Sequence, residues 1–319
     1  MADRHMFTWQ QILPIAVVAT SISFIAGCSM PVARSAGDKF TIPVNLLVRQ
    51  QNRDPTTSQN TALIVQKPQA YQQVVARLAQ AQKAQLLNFP LPSEFQGKTL
   101  KDIKFKSKNK KDKAIIKQPL LKPIALTFDD GPWEKSTSQV LDILKKNKIK
   151  ATFFVVGRQV QMYPQLLKQI VADGHALGNH TWSHQYHMFS QSAAAREIDK
   201  TSELIYKTTG VKISLFRPPG GFLNNGLAAY AHQKKYAVVM WSADSLDWRY
   251  RQPSTLIDRV LREASEGGIV LMHDGGGDRA QTVKALPQVI AQLRKRGYKF
   301  VTVPELMEME DRQLLANKN

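Results

Sequence analysis

The sequence predicts an α/β domain of about seven parallel strands over residues 123–306, and three observations carry that prediction. From Pro123 onward, short apolar runs alternate with amphipathic stretches of helical period. The polar clusters fall just after the apolar runs. Upstream of Pro123 the chain is polar, proline-bearing and lysine-rich, without that alternation.

Strands are expected at Ile124 to Phe128, Thr152 to Val156, Ala176 to Asn179, Ser214 to Arg217, Ala237 to Trp241, Ile269 to Met272 and Phe300 to Val303. Helices fall between them, near Ser136 to Asn147, Pro164 to Asp173, Ala193 to Thr209, Gly226 to Lys234, Pro253 to Ser265 and Ala280 to Arg296. Such a series can close as a barrel or lie open as a doubly wound sheet. In both, parallel strands bring their C-terminal ends, and the loops there, to one face. Asp129 and Asp130 follow the first strand, His180 the third, Arg217 ends the fourth, Asp244 and Asp247 follow the fifth, and His273 the sixth.

A chain of 319 residues, 43% hydrophobic, can bury one large core, and its net charge of +19 favours an acidic partner without choosing it. The N-terminus narrows the choice. Ile12 to Gly27 is almost wholly apolar or small after a short polar lead containing Arg4, which reads as an export signal. The run is shorter than the roughly 20 residues of a comfortable membrane span. Cys28 is the single cysteine, so no intramolecular disulfide forms. Ile25-Ala26-Gly27-Cys28 resembles the lipobox of bacterial lipoproteins, which implies cleavage before Cys28 and a lipid anchor on it. The plainer alternative is a small residue within an ordinary signal peptide or signal anchor.

Residues 29–122 are expected to form a tether. It carries Pro31, Pro43, Pro55 and Pro68, then one amphipathic helix from Gln69 to Asn88, then a connector. Between Lys98 and Lys122, ten lysines face two aspartates, supplying +8 of the +19. This reads as a solvated connector, or as an electrostatic contact with an anionic polymer. Nucleic acid is excluded as a partner, because an exported chain rarely meets it and Phe105 is the run's one aromatic for stacking. Residues 307–319 are expected to be a tail.

The motifs are ambiguous one at a time. Asp129-Asp130-Gly131-Pro132 taken alone is turn punctuation, although adjacent carboxylates can divide cation binding from proton transfer. His180 and His184 are four residues apart, so one helical turn would face both towards a single ion. With one carboxylate they give two nitrogens and one oxygen, a catalytic metal set with a position left open for water. Arg217-Pro218-Pro219-Gly220-Gly221 is a stiff approach to a loop whose backbone can come close to a ligand. Asp247-Trp248 and Leu271-Met272-His273 have equally bland readings as a polar loop and a strand end.

Taken together, the five segments occur in an order that resembles the polysaccharide deacetylases, the NodB-like carbohydrate esterases of family 4, over roughly Ile124 to Leu306. The resemblance implies a distorted (β/α) barrel, an acetylated polysaccharide substrate such as peptidoglycan or a chitin-like chain, and one divalent metal. Zinc stands first, with cobalt, nickel or manganese as alternatives. It implies that Asp130, His180 and His184 hold the metal, and that Asp129 is the general base, oriented by Arg217. It further implies that the Gly220 N–H helps stabilise the oxyanion, that His273 is the general acid oriented by Asp247, and that Trp248 and Leu271 wall a methyl pocket.

This chain departs from the family pattern at Gly220, where most relatives carry tyrosine, and at Ala176, where many carry glutamate. The first departure bears on substrate preference, since the role at that position belongs to a backbone N–H. Gly275-Gly276-Gly277 lacks the Lys-Ser or Lys-Thr of a phosphate loop, so no nucleotide site is expected. His175, His187 and His232 fall outside the motifs. The expected setting is the cell envelope, with the membrane reached through the N-terminal anchor and no partner protein implied.

Overall fold

The computed structural model describes residues 88–105 and 122–318. The expectations for residues 1–87 and 106–121, lipidation of Cys28 and most of the tether among them, lie outside the described residues.

Nine strands form one sheet among the described residues: β1 (Thr99–Leu100), β2 (Lys122–Asp129), β3 (Thr152–Val155), β4 (Ala176–Asn179), β5 (Leu215–Phe216), β6 (Ala237–Val239), β7 (Ala243–Asp244), β8 (Gly268–His273) and β9 (Tyr298–Val301). Their order is β1-β6-β5-β4-β3-β2-β8-β7, and every paired ladder is parallel. One edge of β2 is shared, its first half pairing β9 and its last residues pairing β3. The ends of the order meet through the β1 segment. Leu100 accepts from the Met240 N–H beside β6, and the Ile103 N–H donates to Gly267 beside β8. The sheet therefore curls into a distorted barrel.

Strands buried on both faces read as continuous apolar runs, and β2 is buried from Pro123 to Asp129. The two-residue period of a strand still sorts the side chains. Ile124, Leu126 and Phe128 point outward to a core shared with the helices, while Ala125 belongs to the interior core with Phe154, Leu215, Val239 and Ile269. Continuing the inward phase by two residues along each strand gives Thr127 and Asp129, Arg217, Trp241, and Leu271 and His273. The barrel's alternation thus aims these side chains into one space.

Among the described residues, eight α-helices cover the outside and the floor: α1 (Glu134–Lys146), α2 (Gly157–Met162), α3 (Pro164–Ala172), α4 (Gln191–Thr209), α5 (Leu227–Gln233), α6 (Pro253–Glu263), α7 (Ala280–Lys295) and α8 (Val303–Lys318). Helix α1 buries Val140, Leu141 and Leu144 along one stripe. Helix α4 starts where the Ser190 side chain accepts from the Ala193 N–H, and it stops at Gly210, whose φ of 77° is a left-handed cap.

The structure differs from the sequence reading at both ends of the domain. Phe95, Leu100 and Ile103, assigned above to the tether and connector, are buried in the interior core. Met307, assigned to a tail, is buried with Leu306 in that same core, on a helix that continues to Lys318. Together they plug the barrel floor. Alternation with Lys98, Lys101 and Lys104 hides the first three residues in the sequence. Each such burial is worth about 1.5–3 kcal/mol.

Candidate active site

At the C-terminal ends of the strands lies a cavity of about 610 Å³, lined by Asp129, Asp130, His180, His184, Gly220, Trp248, Leu271 and His273 among others. Of the described residues proposed as site residues, all but two share this one space; Arg217 and Asp247, described below, stand behind it, and Cys28 lies outside the described residues.

Arg217 is the deepest element. Its side chain is fully buried, with the guanidinium 4.0 Å from the centre of the Phe154 ring. It donates to the carbonyls of Val239 (2.8 Å) and Met240 (3.1 Å), to Thr127 Oγ1 (2.8 Å) and to Asp129 Oδ1 (2.7 Å). Burial pulls this guanidinium down from its ordinary range, and the Asp129 carboxylate opposes that. Asp129 is thus fixed through one oxygen, and its Oδ2 is turned towards His180 Nε2 at 3.7 Å.

Asp130 follows the strand with a φ of 75°, so its side chain swings away from the inward phase. Its Oδ1 lies 3.5 Å from His180 Nε2 and 3.0 Å from His184 Nε2. The two histidines are not on a helical turn, as their spacing suggested. They sit on an irregular loop after β4, in which Thr181 and His184 have φ of 69° and 56°. Those strained residues bring the rings to 4.9 Å between centres.

These three side chains suit a divalent ion. His180 Nδ1 donates to the Arg217 carbonyl (2.7 Å), which leaves Nε2 as a lone-pair donor beside two carboxylates. A positive charge held among these atoms satisfies both carboxylates and the ring nitrogens together. Asp130 Oδ1 is buried without a hydrogen-bond donor. The observed separations of 3.0 and 3.5 Å bracket the ~3.3 Å expected between tetrahedral ligands at zinc–ligand distances near 2.0–2.1 Å. Burial raises the Asp130 carboxyl, but the neighbouring imidazoles outweigh it and hold the group well below the usual carboxylate range.

Across the cavity, His273 Nδ1 donates to Asp247 Oδ1 at 2.6 Å. The other oxygen of Asp247 accepts from the His273 backbone N–H (2.8 Å) and from Thr282 Oγ1 (2.7 Å). Burial disfavours the imidazolium, yet the Asp247 charge and hydrogen bond prevail and raise His273 to about 9. Leu271 is buried in the wall, whereas Trp248 lines the cavity but is 58% exposed. Gly220 has a φ of 61°, and the turn's hydrogen bonds are donated by Gly221 and Phe222.

A family model described as polysaccharide deacetylase matches residues 117–239. Over 188 residues the chain is 42% identical to a peptidoglycan-N-acetylglucosamine deacetylase of Bacillus cereus, an alignment covering 58% of this chain and 88% of that protein. The chain belongs to the polysaccharide deacetylase family. It is also 41% identical over 193 residues to the peptidoglycan-N-acetylmuramic acid deacetylase PdaC of Bacillus subtilis, covering 60% of this chain and 40% of PdaC. Among solved structures, a peptidoglycan N-acetylglucosamine deacetylase in complex with 4-naphthalen-1-yl-N-oxidanyl-benzamide superposes with a TM-score of 0.59 at 30% identity, covering 67% of this chain and 94% of that one.

The deacetylase site also uses residues that the sequence reading passed over. Glu197, on α4, accepts from the backbone N–H groups of Trp182 (2.9 Å) and Ser183 (2.8 Å) and from Ser183 Oγ (2.8 Å), clamping the histidine loop. Arg279 donates to the carbonyls of Gly275 (2.6 Å) and Gly276 (3.3 Å) and lies 3.8 Å from Asp130 Oδ2. Asp274 is fully buried, accepts from Thr137 Oγ1 at 2.5 Å, and is pushed up to about 7 by burial. Its carboxyl lies 2.3 Å from where a side chain on Gly131 would begin, so glycine is required there. Glu197 and Arg279 follow no strand's apolar run, so no local signal marks them, whereas Asp274 directly follows β8 and is hidden only by its place beside His273.

Proposed function

We propose that this deacetylase hydrolyses N-acetyl groups from N-acetylglucosamine-type residues of a cell-envelope polysaccharide, with peptidoglycan first and a chitin-like chain second. The observation that carries the reading is that an anchored carboxylate, a three-ligand cluster and a carboxylate-paired imidazole all face one cavity.

Asp130, His180 and His184 would hold one divalent ion, zinc first. When bound, it supplies Lewis acidity, lowering the pKa of water and polarising a carbonyl. Asp129 Oδ2 is the base that takes the proton from the attacking water, while Arg217 holds Oδ1 and prevents the carboxylate from rotating. The Gly220 N–H contributes to the oxyanion site, and Leu271 and Trp248 border the acetyl methyl. His273, with Nδ1 committed to Asp247, delivers a proton from Nε2 to the departing nitrogen as the C–N bond breaks, leaving acetate and the free amine. An imidazole raised to about 9 is protonated at neutral pH, as an amine leaving group requires. The amide is placed ahead of the O-acetyl ester of xylan on the strength of the relatives named for N-acetylated peptidoglycan sugars.

Export and a lipid anchor at Cys28 complete the proposal, supported by the N-terminal sequence and by the peptidoglycan substrates of the named relatives. Cys28→Ser should abolish incorporation of a labelled fatty acid. For the activity, acetate release by the metal-loaded protein should be measured on N-acetylated glycan strands and acetylated xylan in parallel, with Asp129→Asn as control. Release from the glycan, lost in the control, supports the reading. Release from xylan alone makes the protein an esterase, and release from neither makes it a binding protein.

A further inference from the structure

The rim of the cavity carries aromatic surface that the catalytic scheme does not use. Tyr186 lines the cavity two residues beyond His184, yet its side chain is 53% exposed. Its ring meets His184 edge-on at 5.2 Å and Phe222 edge-on at 5.8 Å, and Phe222 is itself 46% exposed. The two loops bearing these rings are fastened together. The Phe189 N–H donates to the Asn225 carbonyl at 2.8 Å, and a side chain on Gly226 would begin 2.4 Å from the Phe189 carbonyl oxygen.

Gly220 lies between the rings. A Cβ built on it would lie 2.9 Å from Phe222 Cε2 and 3.0 Å from Tyr186 Cε1, closer than real contacts allow. The two aromatics fill the volume that a side chain at 220 would need. The apolar wall missing at Gly220 is therefore supplied by residues of two other loop positions, and their outer faces are open to solvent beside the catalytic groups.

We propose that Tyr186 and Phe222 form a stacking platform for a pyranose ring of the glycan that lies beyond the disaccharide unit carrying the reacting acetyl group. This rests on the deacetylase reading above. A pyranose presents an apolar face of C–H groups ringed by hydroxyls, which suits an aromatic face with a phenolic hydroxyl at its edge. Continuity with the cavity, through Tyr186, commits the surface to the substrate chain rather than to a protein partner. The platform sets preference for chain length, because a short fragment held at the catalytic groups does not reach it.

The test compares kcat/KM for acetate release from N-acetylglucosamine oligomers of two and six sugars, with metal content measured for every variant. Tyr186→Ala and Phe222→Ala should each lower the value on the six-sugar chain about tenfold more than on the two-sugar fragment. Tyr186→Phe should retain most of the preference. Equal losses on both lengths, or loss of metal with Tyr186→Ala, would mean that the ring acts through His184, and the platform would be overturned. So would an undiminished six-sugar rate. Wild-type protein that releases acetate from neither oligomer overturns the deacetylase reading and the platform with it.

Discussion

Replacing Glu197 with alanine should weaken zinc binding without unfolding the domain. The part-buried carboxylate accepts three hydrogen bonds at 2.8–2.9 Å from Trp182 and Ser183, the two residues between the strained Thr181 and His184. Hydrogen bonds to a charged group each contribute about 1.5–3 kcal/mol, and solvent reaching the loop would restore most of what the deletion removes. The remainder, about the worth of one such bond, corresponds to a fall of roughly 10- to 100-fold in affinity, the usual effect of removing a group that orients metal ligands. Competition with a chromogenic chelator reads this directly, with far-UV circular dichroism as the fold control. Glu197→Gln keeps one acceptor oxygen but turns an amide N–H₂ towards donors, so it should fall between the alanine variant and the parent. If Glu197→Ala binds zinc within about twofold of the parent with an unchanged spectrum, the clamp does not act on the metal site.

Further outcomes follow from the same geometry. Arg217→Met strands the buried Asp129 carboxylate and removes the donors of two carbonyls, a loss of about 3–5 kcal/mol, or roughly 6–20 °C in Tm by calorimetry. Ile103→Ala should cost about 2–5 kcal/mol in urea unfolding, whereas Lys101→Ala or Lys104→Ala, exposed beside it, should stay within about 0.5 kcal/mol. An equal effect of all three would contradict the plugged floor. In Asp247→Asn the burial of His273 is opposed only by the charges of Asp130 and Asp129, so its pKa falls from about 9 and the alkaline limb of kcat/KM moves to lower pH. Because the folded value lies above the ordinary 6.5, the pair's contribution to stability is present below pH 6.5 and is lost as pH rises through about 9. Thermal melts across that window should therefore show a slope in the parent that is absent in Asp247→Asn.

The strand series from Ile124 to Phe300 and the polar residues after it were legible because a strand buried on both faces is an unbroken apolar run, and parallel strands end at one face. Asp129, His180 and His273, which end or follow such strands, line the cavity, and Arg217 lies behind it against Asp129. The floor was not legible at its start, because Leu100 and Ile103 lie among lysines whose charge dominates the local pattern, and β1 is only two residues long. Strand β7, also two residues, escaped for the same reason. The two histidine rings lie 4.9 Å apart, but on a loop and not on the helical turn that their spacing suggests. Four-residue spacing is compatible with a helix, but the loop takes positive φ at Thr181 and His184, with Thr181 N–H bonded locally to Asn179 and the two residues between held by Glu197 from α4.

By itself, then, the chain determined the strand period, the order of the motifs and the residue types at the mouth of the barrel, since these depend on side chains a few positions apart. Tertiary structure alone decided which groups support them. Glu197 reaches the histidine loop from α4, Arg279 braces the triple-glycine turn, and Tyr186 and Phe222 close on Gly220 from separate loops. Glu197 and Tyr186 meet their partners across separations that carry no period, and Arg279 and Phe222 meet theirs through turns of irregular path, so only folding brings these charges and rings within reach.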